Sequence, residues 1–262
     1  MTINSHTAGG LAVSVVSHGH GPLLRDMLHG MARCCRGSVT RVVLTLNIPE
    51  PVPAPPDGAG WPFVLEVRSN PAPLGFGANH NRALAGAGEP YVGVVNPDIA
   101  FLDDDPFAPL RRAAAAPGVG CAYPEQVDGQ GAVQDAEREL PTPSALWRRR
   151  VLKRSDRRRD WVNAAFLLFP TAAWKAAGGF DERYFMYCED VDLCLRLRLQ
   201  GLSLVKVPVR VGHVGQRASR RRGAHLAWHI RSLFRLWASP VYRQARALLR
   251  ADTAEPRRIG AP

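Results

Sequence analysis

The sequence predicts an α/β fold, a mainly parallel sheet flanked by helices, and three observations carry that expectation. Short apolar runs alternate with helix-like stretches, beginning with Leu11 to Ser17 and ending with Ser203 to Val207. Polar residues fall where such strands stop, as in Ser17-His18 and Asn96-Pro97-Asp98, and parallel sheets bind ligands at the carboxyl ends of their strands. Late in the chain, Gly178 to Arg196 gathers five carboxylates among aromatics, the second group of them where a helix should begin.

The elements follow in order. Leu11 to Ser17 suits a buried strand, and a Gly-rich turn leads to a helix from about Pro22 to Arg33. Val39 to Leu46 and Phe63 to Val67 read as further strands, separated by the Pro-rich linker Pro49 to Pro56. A helix from about Gly75 to Ala85 precedes the strand Tyr91 to Val95. Gly118 to Tyr123 reads as another strand, and the polar, then basic stretch after it as a long, partly mobile loop over about 124–160. Order resumes with Trp161 to Phe169, a short helix near Ala172 to Ala177, the acidic segment with its helix, and the strand Ser203 to Val207. Residues 1–219 are thus expected to form one domain and 220–262 a basic helical extension.

With 262 residues, 46% of them hydrophobic, the chain can bury a substantial core. Its formal charge of +11 is carried by the C-terminal part, where thirteen Lys and Arg from Lys206 onward face only Asp252 and Glu255. A second basic run spans Arg148 to Arg159. Such concentration suggests an anionic partner: nucleic acid, a phospholipid surface or a phosphorylated substrate. Five cysteines without a Cys-x-x-Cys pair indicate neither a zinc framework nor a disulfide scaffold, which fits a reducing cytoplasm. The N-terminus does not read as a signal peptide, and no apolar run reaches the ~18 residues that a membrane span needs.

Glu189, Asp190 and Asp192 open an apolar run in which Val191, Leu195 and Leu199 recur at four-residue spacing, with Gly201 as the stop. There the helix macrodipole favours negative charge while crowding opposes full ionisation, so one proton affinity can be tuned for catalysis. Ordinary helix capping is the plain alternative. Asn96-Pro97-Asp98 could likewise be no more than a turn after a strand.

Three blocks taken together resemble one family. Leu-Gly-Phe-Gly-Ala-Asn-His-Asn within Asn70 to Asn81, then Val-Val-Asn-Pro-Asp, then Gly-Gly-Phe-Asp-Glu-Arg-Tyr-Phe-Met-Tyr-Cys-Glu-Asp-Val-Asp-Leu-Cys-Leu-Arg are similar to family 2 inverting glycosyltransferases, especially their rhamnosyltransferase-like branch. The resemblance runs from about Leu11 to Ser219 and implies a single nucleotide-sugar-binding α/β domain of the GT-A type. It implies transfer from a nucleoside-diphosphate sugar, with dTDP-rhamnose as the branch-level donor, to a glycan or polyprenyl-linked acceptor. A divalent cation, Mg2+ or Mn2+, would stabilise the leaving diphosphate. By the same resemblance Asp190 is the base that takes the acceptor proton and Glu189 its support, Asp98 and His213 are metal ligands, and Gln216, Arg217 and Ser219 lie near phosphate. Nucleotide and sugar contacts are expected from Ser17, His18, Asn47, Asn70, Gly75, Phe76, Asn79, Asn81 and Asn96. The acceptor side is expected at Trp161, Asn163, Asp181 and Glu182, with Asp192 and Arg196 structural. Asn96 stands where many relatives have an aspartate, and Asn163-Ala164-Ala165 where many have a glycine before the alanine.

In the tail, Leu226, Ile230, Leu233, Phe234 and Trp237 make one apolar helical face, with Arg231 and Arg235 on another. Packing against the domain and binding at an anionic inner membrane face both suit it. A sugar-phosphate nucleotidyltransferase, a basic nucleic-acid-binding protein and a non-catalytic relative are the alternatives. No recognised nucleic-acid-reading motif accompanies the arginines, so nucleic acid is not the expected partner.

Overall fold

Near-continuous apolar runs favour strands buried on both faces, and the computed structural model, which describes residues 10–214 and 222–254 except 57, 59, 103, 155 and 157, places three of them in parallel beside a more exposed edge strand, Val64–Ser69. These are β1 (Leu11–Ser17), β2 (Arg41–Leu46), β3 (Val64–Ser69) and β4 (Tyr91–Val95), side by side in the order β3-β2-β1-β4. α1 (Pro22–Cys34), opened by Pro22, crosses from β1 to β2, and α2 (Phe76–Leu84) from β3 to β4. Then follow β5 (Ile99–Ala100), α3 (Phe107–Ala114), β6 (Val119–Val127), β7 (Glu137–Arg138), α4 (Pro143–Arg150), β8 (Trp161–Val162) and β9 (Phe166–Pro170). The chain continues with α5 (Thr171–Ala177), α6 (Glu189–Leu199), β10 (Ser203–His213), α7 (Arg222–Ala238) and α8 (Pro240–Ala254).

The full sheet runs β3-β2-β1-β4-β9-β6-β10-β5, with β7 and β8 as a separate two-stranded ribbon. β9 lies antiparallel to β4, Val95 opposite Phe166, and joins β6 at Ala122 and Leu168; β10 runs parallel to β6. β1, β2, β3, β4, β6 and β10 therefore all end at one edge of the sheet, and β9 begins there.

Side chains on the two sheet faces make two cores. On one face Leu11, Val13 and Val15 pack with Leu24, Leu28 and Met31 of α1 and with Phe107 and Phe166. On the other Val92, Val94, Leu167 and Phe169 meet Trp174, Phe180, Leu193 and Leu197. Each such large apolar side chain contributes about 1.5–3 kcal/mol relative to exposure. A third cluster joins Val191 and Leu195 of α6 to Leu236, Tyr242, Ala245 and Leu249, so the C-terminal helices pack directly on the helix that carries the acids.

Three segments differ from expectation. The 124–160 stretch, expected as a loop, contains the end of β6, the ribbon strand β7 and α4, which Thr142 caps by accepting from the Ala145 N–H. Pro124 faces Val207 of β10 where the β6–β10 register shifts, and β9 pairs β6 only at Ala122, so the missing N–H falls where the ladder is already interrupted. β10 continues past Val207 to His213 because a register shift between Val207 and Arg210 absorbs Pro208. Third, the apolar face expected of α7 is divided. Ser232 and Leu236 are buried, whereas Leu226, Ile230 and Phe234 are 54%, 46% and 64% exposed.

Gly75 and Gly77 are small because the acid-bearing segment presses on them. A Cβ at Gly75 would lie 2.7 Å from the Phe185 carbonyl oxygen, and one at Gly77 2.6 Å from the Phe180 Cβ. Alanine at position 77 gains up to about 1 kcal/mol of helix propensity but must push Phe180 out of the core. Gly77→Ala is therefore expected to lower stability by about 1–2 kcal/mol, read as a lower urea midpoint with unchanged slope.

Candidate active site

At the carboxyl edge, side-chain amides and short loops build a polar rim. Gly19 and Gly21, both at positive φ, let the β1–α1 turn fold back so that the Glu50 carboxylate accepts from their N–H groups at 3.0 and 3.2 Å. Asn47 Oδ1 accepts from Asn70 Nδ2 at 2.9 Å and from the Leu74 N–H at 2.8 Å, while its own Nδ2 donates to the Leu74 carbonyl and faces His18 Nδ1. Asn70 also donates to Asn79 Oδ1. Asn79 is buried, with its Nδ2 between the Leu74 and Gly75 carbonyls, and Asn81 bonds Phe180 and Glu182. Asn47, Asn70 and Asn79 thus fix the loop shape, and the half-buried Asn70 and exposed His18 stand nearest solvent. Ser17 is buried and bonds His20.

Asp98 follows β4 and is met by His213 at the end of β10, with Nε2 3.5 Å from its Oδ2. The backbone holds the two together: His213 pairs with Ile99, and the Val214 N–H donates to the Asp98 carbonyl at 3.0 Å. Both side chains are largely shielded, and among the described residues Nδ1 of His213 has no hydrogen-bond partner. His20 lies near enough to feel Asp98. Burial pushes its pKa down, and the Asp98 and Glu50 carboxylates oppose that shift. Among the described residues no set of three His, Cys, Asp or Glu side chains surrounds a cation position, so Asp98 and His213 stand as a pair.

The acids on α6 are presented by a backbone turn of unusual conformation. Tyr187 and Cys188 have φ of 72° and 66°, in the left-handed region that costs about 1–3 kcal/mol for a non-glycine residue. Ser232 of α7 donates to the Met186 carbonyl at 2.8 Å, and the Tyr187 hydroxyl meets His225 at 2.8 Å, so α7 clamps the turn. Glu189 is buried, and its Oε2 has no hydrogen-bond partner among the described residues. Desolvation first, and the Asp190 charge second, raise its proton affinity well above the carboxylate norm. Asp190 accepts from the Val191 N–H at 2.8 Å. Burial pushes its pKa up to about 6, against the N–H groups of Val191 and Ala164 and the nearby Arg138 charge. Asp192 turns away into an ion pair with Arg196 at 2.7 Å, and Arg196 also donates to the Ala177 and Gly179 carbonyls.

The two acid sites share the edge. The Asn96 N–H donates to the Ala165 carbonyl at 2.8 Å, and the preceding Ala164 is the residue whose N–H faces Asp190. Asn163 and Gln126 exchange amide hydrogen bonds at 2.7 and 3.2 Å beside it. Trp161, half-buried, donates to the Glu139 carbonyl and carries Arg138 over its ring at 6.0 Å. Asp181 is held locally by Arg183 and Glu182 by Asn81, so both shape the turn before the acids. Gln216, Arg217, Ser219, Arg220 and Arg221 lie outside the described residues. Sequence reading overlooks His20, Gln126 and Arg138. His20 could have been found from its place in a Ser-His-Gly-His-Gly turn after a buried strand, whereas the other two sit in the stretch expected to be a loop.

No family model matches the chain. It is 34% identical over 194 residues to the N-acetylglucosaminyl-diphospho-decaprenol L-rhamnosyltransferase of Mycobacterium tuberculosis, an alignment covering 62% of this chain and 63% of that protein's length. It is 30% identical over 190 residues to the rhamnosyltransferase WbbL of Escherichia coli, covering 63% of this chain and 70% of that one. Among solved structures, the mannosyltransferase PcManGT of Pyrobaculum calidifontis, in complex with GDP-Man and Mn2+, is similar with a TM-score of 0.57 at 18% identity, over 96% of this chain and 76% of that one. TarS 1–349 of S. aureus in complex with UDP gives a TM-score of 0.51 at 16% identity, over 78% and 60%. These structural likenesses concern the fold, which is the GT-A type. With the E. coli relative matched over most of its length, the chain belongs to the rhamnosyltransferase-like group of family 2 glycosyltransferases.

Proposed function

We propose that the protein moves a sugar, with inversion, from a nucleoside-diphosphate sugar to a hydroxyl of a glycan or lipid-linked acceptor, with dTDP-rhamnose as the donor. One observation carries this reading: Asp98 with His213, and Asp190 with Glu189, lie on one sheet edge, linked through the Asn96 to Ala165 hydrogen bond. The donor's diphosphate belongs beside Asp98 and His213. That carboxylate and imidazole fit a divalent cation, Mg2+ or Mn2+, whose shell phosphate oxygens would complete. Such a cation, when bound, neutralises charge on the departing diphosphate. The Mn2+ of the similarly folded mannosyltransferase supports the same assignment.

Asp190 takes the proton as the acceptor oxygen bonds to the anomeric carbon and the carbon–phosphate oxygen bond breaks from the opposite face, which inverts the centre. Burial and the Asp190 charge raise the proton affinity of Glu189 well above the carboxylate norm, so of the pair Asp190 is the one to ionise first. Because the Asp190 pKa is raised to about 6, its base form is present above that pH and is lost as pH falls through it. The pH profile of kcat/KM is accordingly expected to fall on the acid side near 6. Asp190→Asn should cut turnover by about 10²–10⁴-fold while leaving nucleotide-sugar affinity, measured by calorimetry, within twofold or so. Wild-type turnover in that variant would remove Asp190 from the role.

A lipid-linked acceptor requires access to a membrane surface. No described helix is long and apolar enough to cross one. Leu226, Ile230 and Phe234 instead form an exposed stripe at i, i+4 and i+8 on α7, continued by the exposed Phe185 packed on Trp228. Arginines 231, 235, 243, 246 and 250 accompany it with Asp252 as the sole acid of α7 and α8. This composition suits the anionic inner face of the cell membrane. Replacing Leu226, Ile230 and Phe234 together with serine should abolish flotation with vesicles containing phosphatidylglycerol. Equal flotation of the variant and the parent would exclude this face.

A further inference from the structure

Arg138 is a cation placed beside the catalytic carboxylate without an obvious structural debt. It pairs across the ribbon with Trp161, lies over that ring at 6.0 Å, and its Nε donates to the Asp135 carbonyl at 3.1 Å. Its terminal nitrogens make no hydrogen bond or ion pair with any described residue, although neighbouring arginines are paired: Arg148 with Glu139 and Arg149 with Asp156. The ribbon itself is well anchored. The Asp160 N–H donates to the Arg138 carbonyl at 2.8 Å, and the Trp161 indole donates to the Glu139 carbonyl at 2.9 Å. Burying a guanidinium partly among apolar atoms, with a second guanidinium at Arg149 nearby, raises its cost of carrying charge. Asp190 and the other nearby carboxylates offset this only in part.

We propose that the terminal nitrogens of Arg138 bind a phosphate of the acceptor, a sugar joined through diphosphate to a lipid, while Asp190 faces a hydroxyl of that same sugar. The inference rests on the glycosyltransferase reading and names its acceptor class. A planar, forked guanidinium suits two phosphate oxygens. Asp98 and His213 lie at the ends of β4 and β10, whereas Arg138 stands on the β7–β8 ribbon with Trp161, so donor and acceptor phosphates are received by different elements. Arg138 and Asp190 stand near enough for each to feel the other's charge, and a sugar carries its anomeric phosphate and its free hydroxyls on one ring.

The test compares binding of N-acetylglucosaminyl-diphospho-decaprenol and of uncharged octyl N-acetylglucosaminide in detergent, with nucleoside diphosphate measured in parallel. Arg138→Gln should weaken the diphospho acceptor roughly tenfold or more, leave the octyl glycoside and the nucleotide unchanged, and raise KM far more than it lowers kcat. Arg138→Lys, which keeps a cation over Trp161, should recover part of the loss, and an unchanged thermal midpoint shows that the ribbon stays folded. Equal weakening of both acceptors, no weakening of either, loss of nucleotide affinity, or a parent protein that does not bind the diphospho acceptor would each overturn the assignment. A parent that binds this acceptor through Arg138 yet transfers no sugar would keep the site and sink the transferase reading.

Discussion

Everything chemical in this molecule depends on the antiparallel insertion of β9 between β4 and β6. Six strands of the sheet point the same way and deliver their ends to one edge; β9, between them, and the two-residue edge strand β5 enter from that edge. Its first residues therefore meet the last residues of β4, and the Asn96 to Ala165 hydrogen bond locks the junction. A late part of the chain, with Asn163, Ala164 and then α6, is brought beside Asp98. A parallel strand in that slot would start at the opposite edge and carry the second acid pair away from the first.

The acids on α6 need more support than a helix start normally receives. Their turn uses two non-glycine residues at positive φ, a conformation that persists only where surrounding contacts over-determine it. Those contacts come from three sides. Arg196 ties Asp192 to the Ala177 and Gly179 carbonyls, Gly75 and Gly77 admit the Phe180 to Phe185 backbone, and α7 holds Met186 and Tyr187 from outside. The C-terminal helices are thus not an appendage in energetic terms: Leu236, Tyr242, Ala245 and Leu249 close the apolar cluster under Val191 and Leu195. Truncating them would expose that cluster and release the clamp together.

Strands were legible wherever burial on both faces imposed an uninterrupted apolar run, as in β1, β2 and β4, and α2 and α6 were legible from periodicity and their stops. What the sequence concealed was set by partners. Pro124 and Pro208 look like strand breakers, yet β6 and β10 continue because both fall at the shift in their shared register, beyond the single point where β9 pairs β6. The exposed stripe on α7 could not be told from a packed face, since hydrophobicity alone does not say which side meets the domain. Chemical residues divide the same way. Asp98 and His213 stand at strand ends and Asp190 at a helix start, all within recognisable motifs, whereas Arg138 acquires its position only through pairing with Trp161. The asparagines show the reverse case: Asn79 is conspicuous in sequence, and its amide is spent inside the loop it shapes.

Two pairs of side chains, one sheet edge and opposite environments explain how similar groups can do different work. Asp98 meets the His213 imidazole at 3.5 Å, and its charge reaches His20, where it opposes the downward pull of burial on that imidazole. Glu189 is buried, where charge is costly, and burial raises the proton affinity of Asp190 too, though backbone N–H groups and the charge of Arg138 oppose it there. Environment, more than residue type, thus sets the proton affinities of Glu189 and Asp190 apart. Arg138 stands on the β7–β8 ribbon and not on the helix that carries Asp190, so the two ends of an acceptor bound as proposed would be read by segments that only the folded chain brings together.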